Sequence, residues 1–238
     1  MRASHLGLAA VVAACGLALS APAGAETTVV LSNEQTVTQW AHPASRALVR
    51  VAPSLSSRSI VRLHPRTEDG FPEVYEALRQ QTGASGALWI QIRVPMRPNG
   101  RTGWVPAPAL GKLHTVHTEL VVQRGRLRAT LYRSGRAVFR ARVGVGMRGL
   151  STPAGHFYVR ERLRIPGGGG AYGPLAFGTS AYSPTLTDWP GVGVVGIHGT
   201  NEPMLVPGRV SHGCVRLRNR DILRLGRLMP VGTPVRIL

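Results

Sequence analysis

The chain has 238 residues, 43% of them hydrophobic, with 29 glycines and 18 prolines; it can bury a core of its own and leans towards strands and turns. It carries 29 Lys plus Arg against 11 Asp plus Glu, a formal charge of +18, and Lys112 is its only lysine. Recurring aliphatic residues exclude a disordered chain, and no apolar run after residue 25 approaches a membrane span.

Met1 to Ala25 reads as a secretory signal: Arg2 is the positive start, Leu6 to Leu19 the apolar stretch, and Ala23-Gly24-Ala25 a small-x-small cleavage site. Val12-Ala13-Ala14-Cys15 offers a second reading, a lipoprotein signal that leaves Cys15 acylated at the mature N-terminus. Either way the expected location is extracytoplasmic. With Cys15 removed or acylated, Cys214 is the one thiol of the folded part, in a compartment where disulfides are usual. Such a thiol is either buried and inert or chemically employed. Residues 26–115 carry 10 basic and 6 acidic groups, whereas residues 116–238 carry 18 and 5. The C-terminal half therefore attracts polyanions, and export argues against nucleic acid as the partner.

Residues 26–43 are polar and mixed and read as a leader, linker or short strand. Residues 44–113 form a small β-rich unit. Ala47 to Val51, Ile60 to Leu63 and Ala87 to Val94 alternate apolar and polar side chains, the period of half-buried strands. Asn99-Gly100 turns the chain into Gly103-Trp104-Val105. One helix is expected between Pro72 and Gly83, with Val74, Ala77 and Leu78 on a shared face. The segments "VRVAPSLSSRSIVRL", "LWIQIRV" and "GRTGWVPAPAL" resemble the bacterial SH3 family, which implies a small SH3-like barrel.

From residue 116 the strands come closer together. Glu119 to Gln123, a turn at Arg124-Gly125-Arg126, and Leu127 to Tyr132 form a hairpin; a second turn at Arg133 to Arg136 leads into Ala137 to Val145. Gly167 to Gly170 is a loop without the Gly-Lys-Ser/Thr of a phosphate cradle. Asn219 reads as the cap of one short amphipathic helix through Ile222, Leu225 and Leu228-Met229, and Thr233 to Leu238 closes the fold as a strand. The fold class is mainly β, two-domain, with a C-terminal sandwich over residues 116–238.

The chemistry concentrates in "GIHGTNEPMLVPGRVSHGCVRLRN", residues 196–219. A thiol becomes a good nucleophile once an imidazole or positive potential raises its thiolate fraction, so His198 and Cys214 permit acyl transfer. Arg216 and Arg218 add that potential, and the backbone N–H groups of Gly213 and Cys214 are candidate oxyanion donors. The same residues permit other readings. His198, His212 and Cys214 are possible zinc ligands, Ser211 beside His212 is a possible nucleophile, and Cys214 can be a structural core residue.

The complete string resembles the L,D-transpeptidase catalytic domain family (YkuD type), through His198-Gly199-Thr200-Asn201 followed by Ser211-His212-Gly213-Cys214-Val215-Arg216-Leu217. "STPAGHFYV" (Ser151 to Val159) and the closing "GTPVRIL" resemble further segments of that family. The resemblance implies a β-sandwich enzyme without metal or cofactor. Cys214 would be the nucleophile and His198 the proton donor and acceptor, with the Gly199 carbonyl orienting the imidazole. Ser211, His212, Gly213 and Arg216 would be supporting residues. The implied partners are peptidoglycan stem peptides, as tetrapeptide donor and amine acceptor, and the basic face suits anionic cell-wall polymers. An L,D-carboxypeptidase and a non-catalytic wall-binding protein are the alternative functions. Pro166 to Pro190 is expected to form a lid that Tyr172 and Tyr182 line, with Trp189 packed in the core. The sequence gives no basis for an oligomeric state.

Overall fold

A computed structural model describes residues 27–168, 170–187 and 192–238. The signal segment Met1 to Ala25, with Cys15, and also Trp189 lie outside the described residues. Among the described residues no helix is long and apolar enough to cross a membrane.

The N-terminal unit is a sheet of β1 (Thr28–Val30), β2 (Thr38–Ala41), β3 (Leu48–Arg50), β4 (Ser59–Arg62), β5 (Tyr75–Thr82), β6 (Leu88–Arg93), β7 (Thr102–Pro106) and β8 (His114–Val116). Its order is β4-β3-β7-β6-β5-β2-β8, with β1 also paired to β5. The alternating segments are strands as their period requires. The segment from Pro72 to Gly83 is not a helix. Its residues Glu76-Ala77-Leu78-Arg79-Gln80-Gln81 have good helix propensity, but β5 is hydrogen-bonded to β6 on one side and to β1 and β2 on the other. Pairing on both edges, with Tyr75 and Ala77 in the core, outweighs a few tenths of a kcal/mol per residue of propensity. Residues 26–43 are likewise more than a leader, since they supply β1 and β2, and Ala41 is wholly buried.

The C-terminal unit comprises β9 (Thr118–Gln123), β10 (Arg128–Arg133), β11 (Arg136–Arg142), β12 (Gly144–Gly146), β13 (Gly155–Arg164), β14 (Leu175–Tyr182), β15 (Val194–His198), β16 (Gly208–Ser211), β17 (Val215–Arg216) and β18 (Pro234–Ile237), with α1 (Asn219–Leu228) after β17. The strand order is β11-β10-β9-β18-β13-β14-β15-β17-β12-β16. The first half of β13 pairs with β18 and the second half with β14. The two halves of the sheet enclose one core, in which Leu120, Leu131 and Phe139 join Phe177, Ile197 and Val215. This is the expected mainly β, sandwich-like architecture. α1 lays Ile222 and Leu225 on that core, and Asp221 in its first turn suits the helix dipole. Its cap is Arg218 rather than Asn219, whose side chain serves another purpose described below.

Buried polar contacts join the two units. Arg160 of β13, 3% exposed, donates to both carboxylate oxygens of Glu73, pairs with Glu68 at 2.9 Å and reaches the Tyr182 hydroxyl at 3.2 Å. Asn99 and Tyr182 exchange two hydrogen bonds of 2.8 and 2.9 Å through the backbone of Tyr182. Arg97 donates to the carbonyls of Ser183, Leu186 and Val192 and lies over the Tyr182 ring. Gly232, at φ +82°, lies against Trp40, where any side chain would collide with the indole. Removing one member of a buried ion pair leaves the other charge uncompensated. Arg160→Ala is therefore expected to lower the unfolding free energy in urea by about 3–5 kcal/mol, and Arg160→Met with Glu73→Leu to recover most of it. A loss below about 1 kcal/mol would mean that the pair is solvated as surface pairs are.

Candidate active site

The site is assembled by one parallel strand pair. β15 and β17 align Ile197 with Val215 and His198 with Arg216. Cys214, one residue before β17, thus lies beside Gly196, whose backbone N–H points at the sulfur, 3.4 Å away. A Cβ on Gly196 would stand 3.8 Å from Cys214 Sγ and 3.7 Å from His198 Cδ2, so the missing side chain leaves space between thiol and imidazole. Both side chains line a cleft of about 280 Å³.

His198 is 3% exposed, and its Nδ1 lies 2.6 Å from the carbonyl oxygen of Gly199. A carbonyl only accepts, so the contact requires the proton on Nδ1 and leaves Nε2 as the free base. The ring of Tyr172 meets the imidazole edge-on at 4.9 Å. Burial pushes the His198 pKa down to about 4, with the Gly199 bond opposing and the Arg216 charge adding to the fall. Burial also pushes the Cys214 thiol up, partly offset by the Gly196 N–H and by Arg216. The imidazole and the positive potential of Arg216 and Arg218 were expected to favour a thiolate. Desolvation outweighs them, and the resting pair is a neutral thiol beside a neutral imidazole.

The turn that presents Cys214 is braced from beneath. Ser211, 1% exposed, donates from Oγ to the Cys214 carbonyl at 2.6 Å and accepts the Gly213 N–H at 3.2 Å. Gly213 has φ +125°, a conformation that L side chains rarely adopt. Its N–H, an expected oxyanion donor, is committed to Ser211 instead. Thr152, also 1% exposed, accepts the Gly146 N–H and donates to the Gly213 carbonyl, at 2.9 and 2.7 Å. The "STPAGHFYV" segment thus has a concrete task that its residue types did not announce. On the other wall, Asn219 Oδ1 accepts the Thr200 N–H at 2.8 Å and fixes the loop after His198.

The remaining expected residues divide. His212 is exposed and lies outside the cleft lining, whereas the buried Ser211 braces the cysteine turn. Arg216 is held by Glu202 at 3.2 Å through Nη1, while its buried Nε has no hydrogen-bond partner among the described residues. Among the described residues no group of three His, Cys, Asp or Glu gathers as a metal site. The expected lid is not one element. Tyr172 lines the cleft, but Leu175–Tyr182 is strand β14, and Tyr182 is buried against the N-terminal unit. Two acidic cleft residues carry no signal in the sequence, Glu161 on β13 and Asp69 from the N-terminal unit.

A mainly β fold that sets a base-form imidazole beside a shielded thiol suits acyl chemistry. Residues 117–237 match the L,D-transpeptidase catalytic domain family (YkuD). The putative L,D-transpeptidase YkuD of Bacillus subtilis is 34% identical over 131 residues, 55% of this chain and 71% of that one. The probable L,D-transpeptidase YbiS of Escherichia coli is 32% identical over 186 residues, 70% of this chain and 60% of that one. A solved L,D-transpeptidase variant of Enterococcus faecium aligns with a TM-score of 0.41 at 21% identity, over 51% of this chain and 49% of that one. The chain thus spans about half of that structure's length. The chain belongs to the L,D-transpeptidase family, a class of acyltransferase enzymes.

Two outcomes check the site. Alkylation of Cys214 by iodoacetamide, followed by intact mass, should have its pH midpoint above the ordinary thiol value of about 8.5. Arg216→Gln should move that midpoint further up, because a positive charge favouring the thiolate is lost; a midpoint near neutrality would contradict the shielding. Thr152→Val should destabilise the fold by about 1–3 kcal/mol and slow the alkylation, and Thr152→Ser should restore both.

Proposed function

We propose that this protein is an extracytoplasmic peptidoglycan L,D-transpeptidase that works through a cysteine thioester. The observation that carries the reading is the fixed His198 tautomer, with Nδ1–H held by Gly199 and Nε2 left basic next to Cys214. Cys214 attacks the carbonyl that joins the third residue of a stem tetrapeptide to its terminal D-Ala. Since the resting pair is neutral, Nε2 takes the thiol proton as the C–S bond forms, rather than before. The C–N bond then breaks, the imidazolium gives its proton to the leaving D-alanine amine, and a thioester remains. An amine of a second stem attacks the thioester, His198 accepts its proton and returns it to the sulfur, and a 3→3 cross-link results. Every bond broken is replaced, so the cycle needs no external energy source.

Export of the chain rests on the Met1–Ala25 sequence, and Cys15 is the point at which lipid anchoring would occur. The basic C-terminal half suits carboxylate-bearing stems and anionic wall polymers.

The test is intact-mass spectrometry of the mature protein incubated with a disaccharide-tetrapeptide. Wild type should form a covalent adduct, release D-alanine and give dimeric muropeptides, while Cys214→Ala gives none of these. His198→Gln should lower the acylation rate by about 10²–10⁴-fold. Tripeptide without dimers would make the protein an L,D-carboxypeptidase, and no Cys214-dependent product would leave a wall-binding protein. The acylation rate should fall as the pH drops through about 4, where His198 gains its proton, instead of near the ordinary imidazole value.

A further inference from the structure

The cleft has a second end that the cysteine chemistry does not use. Register across four strands sets Glu161 opposite Gly178, Gly178 opposite Gly196, and Gly196 beside Cys214. The Glu161 side chain lies over Gly178, where any Cβ would collide with its carboxylate. Between this carboxylate and the sulfur runs a trough floored by two glycines, and all four residues line the cleft. At a strand spacing of ~4.8 Å, Gly178 is roughly 10 Å from the Cys214 backbone.

Glu161 is 4% exposed, yet it forms no ion pair with any Arg, Lys or His among the described residues. Its neighbour Arg160 is committed to Glu73 and Glu68. What Glu161 does have is a hydrogen bond from the Thr67 hydroxyl and a second carboxyl, Asp69, close enough to share a hydrogen bond with it. Thr67 and Asp69 come from one hairpin tip of the N-terminal unit, closed by the Thr67 N–H to Phe71 carbonyl bond of 2.8 Å. A buried carboxylate that faces a cleft without a cation is costly, and a cation brought by the ligand relieves that cost.

We infer that Glu161, assisted by Asp69 from the N-terminal unit, binds the terminal ammonium of the diamino acid at the third position of the donor stem. The inference rests on the transpeptidase reading for the identity of the donor. Reach favours the donor over the attacking amine. The attacking amine must meet the thioester at the sulfur, whereas this carboxylate is two strands away. A side-chain nitrogen six bonds from the attacked carbonyl carbon extends roughly 7–8 Å, since a zigzag of bonds of about 1.5 Å advances about 1.25 Å per bond, which spans the glycine trough. Burial, and Asp69 with it, lift the Glu161 carboxyl to about 7 despite the Thr67 bond; a bound ammonium favours its ionised form. The N-terminal unit then supplies part of the substrate pocket.

Calorimetry on the full mature chain carrying Cys214→Ala tests this, since that protein binds without reacting. The probes are a tetrapeptide stem with lysine at the third position, the same peptide acetylated at Nε, and glycinamide as a plain amine. The free-amine peptide should bind at least about tenfold more tightly than the acetylated one. Glu161→Gln should abolish that difference, Asp69→Asn should reduce it, and Gly178→Ala, which displaces the carboxylate, should abolish it as well. Unchanged melting temperatures for Glu161→Gln and Asp69→Asn separate binding from folding. Equal affinity of the two peptides, no measurable binding, or an equal loss of both in Glu161→Gln would overturn the inference. Glu161-dependent binding of glycinamide without peptide discrimination would assign the site to the acceptor amine and overturn it too. The transpeptidase reading fails separately, through the absence of any Cys214 adduct in the wild type.

Discussion

The site depends on the parallel pairing of β15 with β17. Parallel strands place consecutive residues at matched heights, so one register sets Gly196 against Cys214 and the end of β15 against Arg216. The ladder continues when the Leu217 N–H donates to the His198 carbonyl at 2.8 Å, which fixes the backbone on both sides of the imidazole. A slip by one residue would turn every side chain of β17 to the opposite face and put Val215 where the thiol belongs. Register here is held from outside the pair. Ile197, Val215 and Leu217 are all in the core, and Ser211 and Thr152 tie the turn that leads into β17.

The same burial that fixes the geometry sets the protonation states. Taking a thiol and an imidazole out of water favours the neutral form of each, and Arg216 offsets this only for the sulfur. A preformed thiolate would be a stronger nucleophile but would also be more open to oxidation and alkylation. The orienting carbonyl of Gly199 does what a buried carboxylate does in a Ser-His-Asp triad, without adding a charge to the cleft.

Much of this was legible in the sequence, for identifiable reasons. Strands such as Leu88–Arg93 and the hairpin Thr118–Gln123 to Arg128–Arg133 announced themselves, because runs of apolar residues bounded by turn residues are a local pattern. His198 and Cys214 were legible because the chain has two cysteines and one of them falls in the same motif as a histidine. What was not legible depends on partners distant in sequence. β5 has helix-forming residues and becomes a strand because it has neighbours on both edges. Asn219 looks like a cap until Thr200, 19 positions earlier, is folded against it. Tyr182 looks like a lid residue until Arg160, Glu68 and Asn99 surround it. Ordinary polar residues such as Thr152 and Ser211 carry no chemical signal, since their task is to satisfy backbone groups under the cysteine turn.

The most consequential of these distant partnerships is the contact between the units. A tethered binding module needs only a linker, yet here Glu73, Arg97 and Asn99 of the N-terminal unit bond to β13, to β14 and to the chain that follows β14. Those strands also form the floor of the cleft. The hairpin tip that carries Thr67 and Asp69 reaches past this interface to the cleft wall, 94 residues away in sequence from its partner Glu161. The buried Arg160 cluster therefore has a second effect beyond stability. By holding Glu68 within that tip and Glu73 just after it, the cluster ties the segment that carries Thr67 and Asp69 to β13. Through Asp69, the loop between β4 and β5 of the N-terminal unit thus lines the same cleft as His198 and Cys214.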